Sequence, residues 1–189
     1  MMNDEQPPNR ITAQPPNRTT AQPDNRITEK LDTPMTPSPK PMSASRVSIA
    51  QLMQPEHANP AGNVHGGYIM KLVDECGALA CMRHAARRVV TVAIDRMTFR
   101  QPIKIGDLVT LTAEVTYVGR SSLEAAVHVE AENPISGEKT HTNTAYLVYV
   151  AIGEDGRPAA VPPLLAETVE EREKLAAGQT RQRQRLEQK

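Results

Sequence analysis

The chain predicts an α+β fold, with an antiparallel sheet of about five strands wrapped around one long central helix and a second helix near the C-terminal end. Three observations predict it. The run Tyr68 to Met82 is apolar except for Lys71, Asp74 and Glu75, the mark of a buried helix. From Val89 onward the hydrophobic period changes from helical to two. The connections between the later strands, Gly119-Arg120 and Asn133 to Gly137, are short turns of the kind that join antiparallel neighbours.

Taken in order, residues 1–44 read as a disordered tail. An octapeptide recurs there as Gln6-Pro-Pro-Asn-Arg-Ile-Thr12, Gln14-Pro-Pro-Asn-Arg-Thr-Thr20 and Gln22-Pro-Asp-Asn-Arg-Ile-Thr28. A repeat whose bulkiest anchor is one Ile or Thr has no face with which to build a core. A start of the working protein near Met42 is compatible with this reading. A single domain is expected over 45–178, opening with a strand at Arg46 to Met53 and a loop at Asn59. The apolar helix then ends near Arg83-His84, and Val89 to Phe99 reads as a strand apolar on both faces. Val109 to Val118 and Leu123 to Glu132 alternate as half-buried strands, and Lys139 to Ile152 reads as a last strand rich in Thr, Val and Tyr. After Pro162-Pro163, an amphipathic helix over Leu164 to Ala177 carries Leu164, Leu165, Thr168, Val169, Arg172 and Leu175 near one stripe, and 179–189 reads as a polar, basic tail.

Composition narrows the function. Zero net charge gives no footprint for nucleic acid or an anionic membrane. There is no transmembrane run and no apolar signal-peptide core at the N-terminus. Cys76 and Cys81 both fall in the apolar helix and read as small core residues in a reducing, cytoplasmic setting. His57, His84, His128 and His141 lack ligand spacing, so no metal is expected, and neither a G-x-S-x-G elbow nor a P-loop is present. With no Trp and one Phe the core is lean, and one small sheet covers a helix on one side only, so a homodimer is expected to bury the rest.

The candidate chemistry lies between Asn59 and Asp74. Gly66 and Gly67 stand where a loop enters the helix, so backbone N–H groups there can face a carbonyl under attack as an oxyanion hole; two glycines also simply permit a sharp turn. Asp74 is a carboxylate in an apolar helix, which is costly unless paired or used. Lys71 is a possible partner, although Lys71 and Glu75 make the better i,i+4 pair. Asp74 follows Gly67 by seven residues, two helical turns or roughly 10 Å, too far to act on a carbonyl held at its own helix start. If both serve one reaction, they belong to different subunits. Asn59 and Asn63 cap the helix or shape the loop, or else orient a water or donate to a thioester oxygen, and His65 is either a turn residue or a general base. Asp95 is a second carboxylate in an apolar strand and is given no role.

The segment Asn59-Pro-Ala-Gly-Asn-Val-His-Gly-Gly-Tyr-Ile-Met-Lys-Leu-Val-Asp-Glu75 closely resembles the cytosolic acyl-CoA hydrolases, the hotdog-fold acyl-CoA thioesterases. Weaker matches follow at Phe99 to Ile103, Val115 to Ser122 and Ala145 to Leu147. The resemblance spans about Ser45 to Ala177 and implies a hotdog fold, in dimers often assembled as a trimer of dimers. It implies hydrolysis of acyl-CoA to free acid and CoA with no further cofactor. It also implies that Asp74 acts with Asn59 of the opposing unit and that Gly66 and Gly67 polarise the thioester carbonyl. Asn63 and His65 fall in the same matching segment, beside those glycines. The hairpin Gly119, Arg120, Ser121 and Ser122 would contact the CoA arm, with Arg120 available to a phosphate. A hotdog hydratase would instead want a His–carboxylate pair, for which His65 is the nearby candidate. A binder of acyl-CoA or nucleotide would need no catalysis.

Overall fold

A computed structural model describes Pro37 to Gln188 except Arg96 and Arg100; the octapeptide repeats lie outside the described residues. The elements are β1 (Lys40–Pro41), a 3-10 turn (Met42–Ser45), β2 (Val47–Leu52), a second 3-10 turn (Pro55–His57), α1 (Gly66–Ala85), β3 (Arg88–Ile94), β4 (Leu108–Val118), β5 (Ser122–Glu132), β6 (Lys139–Ile152), β7 (Leu164–Leu165) and α2 (Val169–Glu187).

One five-stranded antiparallel sheet has the order β2-β4-β5-β6-β3, and a two-residue parallel pair joins β1 to β7. The alternation read in β4 and β5 puts Val109, Leu111, Val115, Leu123, Val127 and Val129 on the inner face, all buried. Against it α1 packs Ile69, Leu72, Val73, Cys76, Ala80 and Cys81. Each larger aliphatic buried there contributes about 1.5–3 kcal/mol. The two cysteines are core residues, and burial pushes the Cys76 thiol up to about 11.

Four expectations need correction. The first concerns α1, which is not buried all round. Met70, Lys71, Glu75 and Leu79 are exposed along one strip, with Asp74 half-buried among them. Second, β3 stops at Ile94, not Phe99, and it is an edge strand whose Val90, Val92 and Ile94 are 48%, 55% and 41% exposed. Apolar residues on both faces of this strand thus mark an uncovered edge instead of a central position.

The third correction is at the C-terminal end. Leu164 and Leu165 form a strand, and the helix opens at Val169 under a capping box between Thr168 and Glu171. It runs through the expected boundary at 178 to Glu187, so 179–187 is helix and not tail. Its buried residues are Glu171 and Gly178, while Val169 is 65% exposed, so no apolar stripe docks it. Polar groups of the outer sheet face do so: Lys174 bonds Glu114 at 2.6 Å and Arg181 bonds Glu124 at 2.7 Å. Fourth, order begins before residue 45. Lys40 Nζ donates to the carbonyl of His84 (2.8 Å) at the end of α1, and Met42 is fully buried, so the segment just before Met42 belongs to the fold.

Candidate active site

The loop before α1 is built from its own side chains. Asn59 Oδ1 accepts from the Ala61 N–H (2.9 Å) and the Asn63 N–H (3.3 Å), and Asn59 Nδ2 reaches the Val64 carbonyl at 3.5 Å. His57 stacks on Tyr68 with 4.0 Å between centroids, and the His65 N–H returns to the His57 carbonyl. His65 caps the helix: its Nδ1 accepts from the Gly67 N–H at 2.9 Å. The Gly67 donor is thereby engaged, and the Gly66 N–H is left without a partner among the described residues. Gly66 faces a cavity of about 230 Å³, whose other walls include Asn59, Asn63, Ile69, Phe99 and Ile103. Asn59, Asn63 and Gly66 thus meet, while His65 stands beside them as a cap.

Asp74 is in a second place. Thr91 Oγ1 donates to its Oδ1 at 2.7 Å, and the Tyr149 hydroxyl donates to the same oxygen at 3.2 Å and to the Asp74 carbonyl at 2.9 Å. Oδ2 has no partner among the described residues. Burial, and then the Asp74 charge, raise the Tyr149 pKa above its ordinary value, so the phenol stays protonated and donates. Lys71 pairs with Glu75 at 2.8 Å, which leaves Asp74 free of it. Eight residues of helix, about 12 Å, separate Gly66 from Asp74.

The sequence does not single out Thr91 or Tyr149 for this role. The signal for Thr91 was a single hydroxyl in the otherwise apolar run after Arg88. Tyr149 was one of several apolar-strand tyrosines, and nothing local distinguished it.

The hairpin Gly119 to Ser122 joins β4 to β5, with the Gly119 N–H bonded to the Ser122 carbonyl at 2.9 Å. Ser122 pairs with Val150, next to Tyr149, so the turn lies at the end of the sheet that supports Asp74. Arg120 is exposed, and its carbonyl accepts from Val161. Among the described residues, no group of three His, Cys, Asp or Glu is placed to hold a metal ion, and no helix is long and apolar enough to cross a membrane.

Residues 61–138 match the model of the thioesterase superfamily. A solved apo-hexameric acyl-CoA thioesterase is 34% identical, with a TM-score of 0.77, covering 80% of this chain and 97% of that one. The chain belongs to the thioesterase superfamily. Its curled five-stranded sheet around α1 is the hotdog fold expected from the sequence. This hotdog chain is also 31% identical over 149 residues to the cytosolic acyl coenzyme A thioester hydrolase of Rattus norvegicus, covering 78% of itself and 39% of that relative. It therefore spans about two fifths of the length of the mammalian relatives it matches. The acyl-CoA hydrolase of Staphylococcus aureus, solved with butyryl coenzyme A, coenzyme A and coenzyme A disulfide, is 30% identical with a TM-score of 0.73, covering 79% of this chain and 91% of that one. Alanine variants of that enzyme at an aspartate, an asparagine and a threonine have also been solved.

Proposed function

We propose that the protein hydrolyses acyl-CoA thioesters to free acid and CoA, in a site that two copies of the chain complete. The carrying observation is Asp74: Oδ1 is fixed by Thr91 and Tyr149, and Oδ2 is open on the uncovered strip of α1. A carboxylate held this way serves as base or nucleophile. Family membership supplies the reaction class, and the relatives' names supply the substrate class. In the S. aureus enzyme the varied asparagine precedes the varied aspartate by 15 residues and the threonine follows it by 17. Asn59 precedes Asp74, and Thr91 follows it, by the same intervals. The pattern supports Asn59 and Asp74 as the catalytic pair and Thr91 as the residue that orients Asp74.

The 12 Å between Gly66 and Asp74 supports a composite site. The Gly66 N–H of one copy polarises the thioester carbonyl and Asn59 of that copy positions the water or the substrate. Asp74 of the other copy takes the proton as water adds to the carbonyl carbon; the C–S bond then breaks and CoA thiol leaves. In the covalent route Oδ2 itself attacks the carbonyl carbon, the C–S bond breaks as CoA leaves as the thiolate, and water then opens the resulting anhydride to the free acid and the Asp74 carboxylate. Single turnover in labelled water separates the two, since label in Asp74 marks the covalent route. Gly67 contributes a second donor once the His65 ring turns away. Asn63 shapes the cavity wall, and the Gly119 to Ser122 turn is available to the CoA arm, with Arg120 for a phosphate. The exposed Val90, Val92 and Ile94 support β3-to-β3 pairing of two copies, and a hexameric relative supports a homo-oligomer of such dimers.

A thiol assay on short-, medium- and long-chain acyl-CoAs tests the activity. CoA release that Asp74→Asn abolishes supports the reading, and CoA binding without release from any chain length overturns it. Mixing tests the composite site. Asp74→Asn and Asn59→Ala chains, each inactive alone, regain about a quarter of wild-type activity when randomly paired. No recovery in verified mixed dimers overturns the shared site.

A further inference from the structure

Asp95 is the residue at which the chain leaves β3. Its N–H makes the next bond of the ladder, to the Tyr146 carbonyl at 2.9 Å. Beyond it the chain supplies Phe99, Gln101, Pro102 and Ile103 to the wall of the Gly66 cavity. Four residues before it stands Thr91, which holds Asp74. The carboxylate of Asp95 is gripped from outside the sheet. Arg185 of α2 donates through Nε to Oδ1 (2.9 Å) and through Nη2 to Oδ2 (2.7 Å), a two-pronged pairing that fixes orientation as well as distance.

Arg185 is itself braced. Its Nη2 also bonds Glu124, a carboxylate 1% exposed that accepts from Arg181 (2.7 Å) and Thr116 (2.7 Å). The Arg181 guanidinium lies 3.7 Å from the centroid of Tyr146, the residue whose carbonyl takes the Asp95 N–H. Strand β5 carries Glu124 and strand β6 carries Tyr146, so the last turns of α2 are tied at once to the sheet and to Asp95, four residues before Phe99 of the cavity wall.

We propose that Arg185 is a positioning residue that sets the Gly66 cavity for substrate by holding Asp95. It never touches the reacting atoms, and it acts through Asp95, four residues before Phe99, where this segment joins the wall. The inference rests on the proposed thioesterase reading of that cavity. It also gives Asp95 a purpose that its place in an apolar run did not reveal.

Arg185→Met tests it, beside Lys174→Met, which weakens the same helix at Glu114, far along α2 from Asp95. KM for the fastest-turned-over acyl-CoA is expected to rise about tenfold in Arg185→Met with kcat within about twofold, because a displaced wall weakens substrate binding. Arg185→Lys should recover part of the loss. Lys174→Met should leave KM unchanged while lowering thermal stability comparably. A loss of folded protein lowers kcat per chain and leaves KM alone, so equal KM in all four proteins overturns the proposal. A second measurement needs no activity. Amide exchange in peptides spanning 95–103 is expected to quicken about fivefold or more in Arg185→Met and not in Lys174→Met. Unchanged exchange there overturns the inference even if the wild type releases no CoA, an outcome that would separately overturn the thioesterase reading.

Discussion

The two helices lie on opposite faces of the same sheet and are held there by opposite chemistry. Helix α1 packs through Ile69, Leu72, Val73 and Cys76 onto the inner aliphatic face. Helix α2 lies along the outer face of β4 and buries only Glu171 and Gly178, held by Lys174 on Glu114 and by Arg181 and Arg185 on Glu124. Apolar packing fixes α1 without directionality, which frees its open strip to present an unshielded carboxylate oxygen. Ion pairing fixes α2 by geometry at a few points, so α2 can hold one residue of the site at a time, and its hold depends on charge. Each helix also approaches the sheet through one glycine. A Cβ on Gly77 would come within 2.5 Å of the Tyr149 hydroxyl, and one on Gly178 within 2.8 Å of Tyr117 Cβ and 3.1 Å of the Thr116 carbonyl.

Substitutions on the two faces should therefore separate activity from stability. The largest effect expected is from Asp74→Asn, which lowers thioester hydrolysis about 10³-fold while the melting temperature stays near wild type. Retained turnover would remove the special status of the α1 strip. Gly77→Ala pushes the Tyr149 hydroxyl from Asp74 and should lower kcat about tenfold, with overpacking costing about 1–3 kcal/mol in denaturant unfolding. Gly178→Ala should cost a similar 1–3 kcal/mol with kcat unchanged, because the atoms in its way, Tyr117 Cβ, Glu124 Oε1 and the Thr116 carbonyl, do not touch Asp74. If both alanines affect kcat alike, the division between the faces fails. Thr91→Val removes one of two donors to Oδ1 and should lower kcat about threefold to tenfold.

The smallest effects are those of pH. Burial holds His84 below its ordinary 6.5, aided by nearby Lys40 and opposed by the Pro162 carbonyl. A group kept neutral this way contributes stability above about 6.5 that fades as pH falls below it. Burial raises Glu114, but Lys174 and Arg46 outweigh it and leave the carboxyl below 4.5. Its contribution is present above 4.5 and is lost as pH falls through the lower folded value. Thermal melts should thus soften in two stages on acidification, and Glu114→Gln should remove only the second.

Order and type of the sheet and of α1 were legible because Val109 to Val118 and Leu123 to Glu132 alternate with period 2 and Tyr68 to Met82 is apolar apart from Lys71, Asp74 and Glu75. Strand β3 misled because Val90, Val92 and Ile94 are apolar for a surface that one chain does not cover. Helix α2 misled because its docking groups, Arg181 and Arg185, read as solvated charge until Glu124 is seen beneath them. The separation of Gly66 from Asp74 followed from helical rise alone. Their supporting residues did not: Thr91 lies 17 positions from Asp74 and Tyr149 lies 75, and only the fold brings them to it.

With the site shared between two copies as proposed, the bare edge of β3 ties catalysis to concentration. A site divided between two copies exists only while they remain joined, so dilution below the dissociation constant silences the protein without unfolding it. Total activity then follows the square of the chain concentration over that range, so specific activity falls in proportion to concentration, and simple reconcentration restores it.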